Sequence, residues 1–327
     1  MIVKIRIKDI LIIIVVFSAF YNGLAQDAFV SRFQTGAYIP GLIGVRDLVA
    51  PSGSGVMFAN YSAMLFSNRF NDAKGNSISS IPNQNLQITD INIRAYNNTL
   101  DFMYVSPKLE FLNGIKYMAY IDIPYNTSSL QVASTEVLRV SETIKGGAAG
   151  FSDITVSPLT LSYSKDDFEI TGGYTFVAPT GRYETGDDTN TGLGYWSHIL
   201  QIGGYFYLNN KATAILVLPT YEFHGKLKDA GLKVGDRLAL DYGISHYFTE
   251  KIEVTLQGGH VWQVGEDSGS AVYWNTTVKD RSSVVSAGVG YWFLADKLYG
   301  HLKWISSYGN RQFFQFNGVE AQLIFVP

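Results

Sequence analysis

The stretch "GLGYWSHILQIGGYFYL", residues Gly192–Leu208, is too polar for a buried core strand and too apolar for a strand facing water. Successive side chains on a strand point to opposite faces. One face here carries Trp196, His198, Leu200, Ile202, Gly204, Phe206 and Leu208. The other carries Ser197, Ile199, Gln201, Gly203, Tyr205 and Tyr207. Asn209-Asn210 then marks a turn, and "KATAILVLPTYEFHG" returns as a similar strand. Two solvents suit such a pair: lipid on the greasy face and a wetter lumen on the mixed one.

The alternation recurs along the chain. Phe168, Ile170, Tyr174 and Phe176 alternate with Glu169, Thr171 and Thr175. Leu238, Leu240, Tyr242 and Ile244 alternate with Arg237, Ala239, Asp241 and Gly243. Ile252, Val254 and Leu256 alternate with Glu253, Thr255 and Gln257. Val319, Ala321, Leu323 and Phe325 alternate with Glu320 and Gln322. Connections alternate too. Short ones fall near 112–114, 164–167, 208–211, 248–251 and 294–297. Long polar ones fall near 67–91, 126–150, 180–194, 225–235 and 265–280. Short turns at one end and long loops at the other mark an all-β, antiparallel outer-membrane barrel. The pattern predicts twelve strands, at 55–67, 93–107, 115–125, 152–164, 167–179, 194–208, 211–225, 235–248, 251–264, 281–294, 298–308 and 312–326. A closed barrel pairs every backbone amide, which an open sheet in lipid cannot do.

Composition agrees with this class. Of 327 residues, 16% are charged and 14% aromatic, with 32 glycines and 21 tyrosines. Cytosolic domains carry roughly 25% charge. A net charge of −3 offers no basic surplus for a nucleic-acid partner. Without cysteine there is no disulfide and no thiolate metal site.

The first 54 residues divide in two. Lys4, Arg6 and Lys8 precede the apolar run Ile10–Phe20, and Gly23 and Ala25 stand before Gln26 at a cleavage-like spacing. Residues 1–25 therefore read as a signal peptide, which directs export to the outer membrane of a Gram-negative cell. Residues 26–54 are apolar, with Phe29, Val30, Phe33, Tyr38, Ile39, Leu42, Ile43, Val45 and Leu48, yet broken by Pro40, Pro51 and glycines. A pure linker would be more polar. The barrel follows as residues 55–327.

Little in the chain suggests catalysis. The histidines at 198, 224, 246, 260 and 301 fall on different strands, with no metal-ligand spacing. Ser197-His198 and Ser245-His246 are adjacent pairs, and adjacent residues on a strand point apart. Acidic groups at Glu184, Asp187, Asp188, Glu266 and Asp267 read as solvated loop charge rather than calcium ligands. No catalytic residue, metal or cofactor is expected.

The segments "GFSDITVSPLTLSY", "FEITGGYTFVAPTGRYETGD", "NTGLGYWSHILQIGGYFYL", "TYEFHGK", "VGDRLALDYGISHYF" and "VWQVGEDSG" occur in an order that resembles the family named for the meta-cleavage pathway of phenol degradation. The resemblance runs from about Tyr38 to the C-terminus, and its most specific pieces are "APTGRY" (Ala178–Tyr183) and "GLGYWSH" (Gly192–His198). The end departs from many outer-membrane barrels, since Phe325-Val326-Pro327 does not close on an aromatic residue. The resemblance implies an outer-membrane transporter, similar to the fatty-acid and aromatic-hydrocarbon channel barrels. It also implies that residues 26–54 form a hatch that plugs or lines the periplasmic half of the barrel, with Tyr38, Pro40, Arg46 and Asp47 among its contacts.

These observations predict a monomeric channel for passive uptake of small hydrophobic or aromatic compounds. The competing expectation is a structural or adhesive barrel with a closed lumen and partner-binding loops. Glu169, Arg237, Asp241, Glu253, Gln257, Lys303, Glu320 and Gln322 should line the lumen or hold the hatch. Tyr183, Tyr195, Trp196, Trp262, Trp292 and Trp304 should form an aromatic mouth or girdle, joined by Tyr205, Tyr207 and Tyr291. The expected partners are membrane lipid, lipopolysaccharide, the barrel-assembly machinery and a small hydrophobic or aromatic solute.

Overall fold

The computed structural model describes residues 36–78, 80–81, 86–136, 141–185, 187, 189–272 and 274–326. The expected signal peptide, with Phe29, Val30 and Phe33 of the next segment, lies outside them. Fourteen strands follow one another: β1 (Gly55–Asn71), β2 (Ser80–Ile81), β3 (Leu86–Val105), β4 (Lys116–Glu136), β5 (Ser141–Phe151), β6 (Ile154–Ser164) and β7 (Phe168–Ala178). Then come β8 (Ser197–Leu208), β9 (Thr213–His224), β10 (Arg237–Tyr247), β11 (Ile252–Gln263), β12 (Arg281–Leu294), β13 (Leu298–Arg311) and β14 (Phe313–Phe325). Among the described residues the only helical element is a short 3-10 turn, Glu110–Leu112.

Every pairing is antiparallel, and β14 returns to β1, so the sheet closes on itself. Without the two-residue β2 and the hairpin strand β5, the wall contains twelve strands, as the alternation predicts. Closure removes the two edges that an open sheet would expose to lipid.

The two faces are sorted as the period of two requires. Leu256 is 55% exposed on the outer face while its neighbour Gln257 is 3% exposed inside. Ile202, Phe206, Leu302 and Leu323 are likewise outward, and Glu253, Glu320 and Gln322 are buried inside. An exposed apolar exterior around a polar interior is inverted relative to a soluble protein, and lipid is the solvent that stabilises it.

Turn chemistry shapes the short-turn end. Asn209, Asn210 and Lys211 all hold positive φ, near 54°, 54° and 68°. Asn tolerates that left-handed region better than most residues, so the Asn-Asn pair reverses β8 into β9 at little strain.

One connection differs from expectation. The link at 126–150 is mostly a hairpin, in which β4 continues to Glu136 and pairs with β5 in register from Tyr125↔Phe151 to Thr135↔Ser141. Ser, Thr and Val favour extended backbone, but "NTSSLQVASTE" has no continuous apolar face and so resembles a loop in sequence. At the same end, β13 and β14 are joined by Gln312 alone, so one connection there is short.

Candidate permeation path

Residues 36–50 run through the inside of the barrel, and their backbone is held by wall side chains. At the short-turn end the Ala50 amide donates to Glu169 at 2.7 Å, and Thr171 donates to the Leu48 carbonyl at 3.1 Å. At mid-height Lys303 donates to the Leu42 carbonyl and Gln257 to the Ile43 carbonyl, both at 2.8 Å. The Gly41 amide and the Tyr38 hydroxyl both donate to Asp241, at 2.7 and 2.6 Å. At the long-loop end the Ala37 amide donates to Glu222 at 2.6 Å. A segment rich in Pro and Gly cannot satisfy its own amides as a helix would. Three carboxylates from three strands therefore take that role.

Gly41 is needed for this approach. Its φ is +80°, and a Cβ there would lie 2.8 Å from a Val284 methyl. The apolar side chains of the segment divide among the walls. Val45, Leu48 and Val49 pack on Tyr205, Tyr207, Leu216 and Leu218. Ile43 and Tyr38 meet Val177, Ile199, Ala239 and Val261. Ile39 and Leu42 meet Val284, Ile305, Phe313 and Phe316.

The charges pair as follows. Arg46 reaches Glu253 at 3.1 Å and Ser245 at 2.5 Å, and stacks over Tyr247 at 4.9 Å. Glu253 also accepts a bond from Tyr299. Asp47 caps its own turn through Gly44 and accepts from Gln322 at 2.9 Å. Lys303 pairs with Glu320 at 2.9 Å. Arg237 forks onto Asp280 at 2.7 and 2.8 Å. Pro40 lies against Gly259. All eight wall residues expected inside do point inward, and six of them touch residues 36–50: Glu169, Asp241, Glu253, Gln257, Lys303 and Gln322. Glu320 acts on Lys303, and Arg237 lies beside Gly36 and Asp280.

The aromatic residues do not form one group. Trp196 and Trp304 face outward, with Trp196 at a strand end and Trp304 in the middle of β13. Trp262 stacks on the outward His260. Trp292 turns inward at the short-turn end, where its indole donates to the Tyr247 hydroxyl. Tyr205 and Tyr207 are buried in the lumen against the inner segment, where no girdle residue could lie. Tyr195 and Tyr183 instead pack with Leu227, Leu232, Val234 and Trp274 into an apolar cap made by the long loops. Asp267, expected as solvated charge, is buried in that region and accepts from Gly235, Gln263 and Trp274.

The cap has a buried anchor. Asp153, between β5 and β6, accepts from the Gly181 amide at 2.9 Å and the Leu193 amide at 2.6 Å. Gly181 and Gly192 approach so closely that a Cβ on either would meet the other's Cα within 3.0 Å. "APTGRY" and "GLGYWSH" thus meet at one carboxylate, and their glycines permit the contact.

The inner wall is unevenly covered. Inward residues on β7–β14 such as Thr171, Ser197, Leu218, Asp241, Ser286 and Lys303 are buried. On β1, β3 and β4 the inward Tyr61, Asn97, Thr99, Tyr120, Asp122 and Asn126 keep part of their surface exposed. This sector is polar: Thr99 donates to Asn97 at 2.9 Å, Asn97 to Asn126 at 2.6 Å, and Asp101 stands directly across from Asp122. Sequence reasoning had not singled out this pair. The signal was present, since Asp101 between Leu100 and Phe102, and Asp122 between Ile121 and Ile123, are lone acids in apolar alternation.

The model of a family described as "Putative MetA-pathway of phenol degradation" matches residues 67–323. Among curated proteins none matches. Among solved structures, an outer-membrane channel from Pseudomonas putida F1 is similar over 89% of this chain and 100% of its own, at 14% identity and a TM-score of 0.65. The translocator domain of the autotransporter NalP from Neisseria meningitidis is similar over 86% of this chain and 92% of its own, at 11% identity and a TM-score of 0.47. The first of these likenesses shows the outer-membrane barrel fold.

Proposed function

The chain belongs to the phenol-degradation family whose model spans most of it, and from that premise we propose that it is a passive outer-membrane channel for small aromatic or hydrophobic compounds. The observation that carries this reading is the division of the inner wall. One sector is covered by residues 36–50, and the other keeps exposed side chains. A twelve-stranded barrel has room for side chains and one narrow path once such a segment is inside. In this reading residues 36–50 act as a fixed hatch that sets the bore. The exposed sector offers tyrosine rings beside hydroxyl and amide groups, which suits a ring bearing a polar substituent. The barrel acts as a monomer, with its apolar exterior in lipid and lipopolysaccharide and its folding assisted by the barrel-assembly machinery.

The apolar cap around Tyr195, Leu227, Leu232 and Val234 favours the second reading, a closed structural or adhesive barrel. Planar-bilayer conductance with liposome swelling by phenol and benzyl alcohol separates the two. The channel reading expects measurable conductance, swelling with both solutes, and a higher conductance after deletion of residues 27–49. A folded, heat-modifiable barrel that conducts and swells with neither solute, before and after that deletion, is the closed one.

A further inference from the structure

We infer that the carboxyl pair of Asp101 and Asp122 is the charge filter of this path, which admits neutral and cationic aromatic solutes and turns back anionic ones. The inference rests on the channel reading above and names the solute charge that reading leaves open.

Asp122 keeps part of its surface exposed in the sector that residues 36–50 leave less covered, and Asp101 is buried beside it. Asp101 on β3 and Asp122 on β4 are register partners, and both side chains face inward with their carboxyl groups within hydrogen-bonding reach of each other. Above them, toward the long-loop end, stand Thr99, Asn97 and Asn126, which are uncharged hydrogen-bonding groups. Asp47, on the inner segment, is a second inward carboxylate, held by the Gly44 amide and Gln322. Negative groups therefore reach the path from wall and segment alike.

The inward basic groups nearby are committed elsewhere. Lys303 is held by Glu320 and the Leu42 carbonyl. Arg46 is held by Glu253, and Arg237 by Asp280. Lys116 keeps its charge, but it stands at the short-turn end of β4, where the carbonyls of Pro51, Ser52 and Gly53 hold it away from the pair. Two carboxyl groups in contact share a proton, so the pair carries one negative charge between them, and a narrow lumen with low-dielectric walls concentrates the field of that charge. An aromatic carboxylate would meet that field at mid-height with no cation to receive it. A phenol or a benzylamine would meet acceptors for its O–H or ammonium group.

The test is the reversal potential of the purified full-length chain in planar bilayers under a KCl gradient. Liposome swelling with benzyl alcohol, benzylamine and benzoate accompanies it. Wild type should prefer K⁺ and should pass benzyl alcohol and benzylamine faster than benzoate. The Asp101→Asn/Asp122→Asn double variant should shift the reversal potential toward zero and narrow the benzoate gap. Asp122→Asn alone should do so in part, and serves if the double variant does not reach the heat-modifiable folded form. A conducting wild type that prefers Cl⁻, or variants whose reversal potential and benzoate rate are unchanged, would overturn the filter and leave the channel standing. A folded protein with no conductance and no swelling overturns the channel reading itself, and the filter with it.

Discussion

At the scale of single residues, direction is set by the period of two and accessibility by what fills the lumen. The alternation in "IEVTLQ" places Val254 and Leu256 outward and Glu253 and Gln257 inward, and the structure has them so. Which inward positions meet water is a separate matter, because residues 36–50 cover one sector and not the other. Cysteine introduced at Thr99 should react readily with a membrane-impermeant maleimide. Cysteine at Leu256, facing lipid, should not. Cysteine at Gln257 should react slowly in the full chain and quickly once residues 27–49 are deleted. Equal labelling at 99 and 257 in the intact chain would contradict the uneven cover. The distinction was not legible in sequence, since it depends on where a segment 214 residues away in the chain comes to rest. Tyr205 and Tyr207 are a different case, since the alternation itself gives their direction. Their aromatic character suggested a membrane girdle, but their odd numbers put them on the inward face, beside Val45 and Leu48.

At the scale of elements, strand existence was readable wherever one face is greasy, and strand length was not. The strands from β6 to β12 match their expected bounds to within a few residues because apolar alternation stops where lipid stops. β3, β4 and β5 continue beyond, where both faces meet water and the pattern has nothing to mark. The loop cap was legible only as two motifs, and their meeting point at Asp153 needed the fold. Burial raises the Asp153 carboxyl above its ordinary value, and the amides of Leu193 and Gly181 oppose this in part. The folded state then binds the proton more tightly than the unfolded chain. The contribution of Asp153 to stability is full below the ordinary carboxylate range and falls as pH rises through the raised value. Urea midpoints in detergent should therefore decline for wild type relative to Asp153→Asn across that window. A constant gap between the two from acid to neutral pH would show that Asp153 is not linked to folding in this way.

At the scale of the whole molecule, even strand number puts both ends of the wall on the short-turn side. In outer-membrane barrels that side is periplasmic and the long loops face outward. An epitope inserted between Asn275 and Thr276 should bind antibody on intact cells, and one between Asn209 and Asn210 should bind only after permeabilisation. The reverse pattern would invert the barrel. This orientation was legible from loop lengths alone, although the link expected at 126–150 is a hairpin and the β13–β14 link at that end is short.

Among the described residues, the chain of the inner segment joins the wall at one end. It joins β1 through Pro51–Gly55, while Gly36 lies far up the bore beside Glu222 and Arg237. A thread held in a tube can leave only lengthwise, so this segment cannot swing aside like a door. To clear the bore it must be drawn back toward the short turns, and its grips on Glu222, Asp241 and Glu169 must all release.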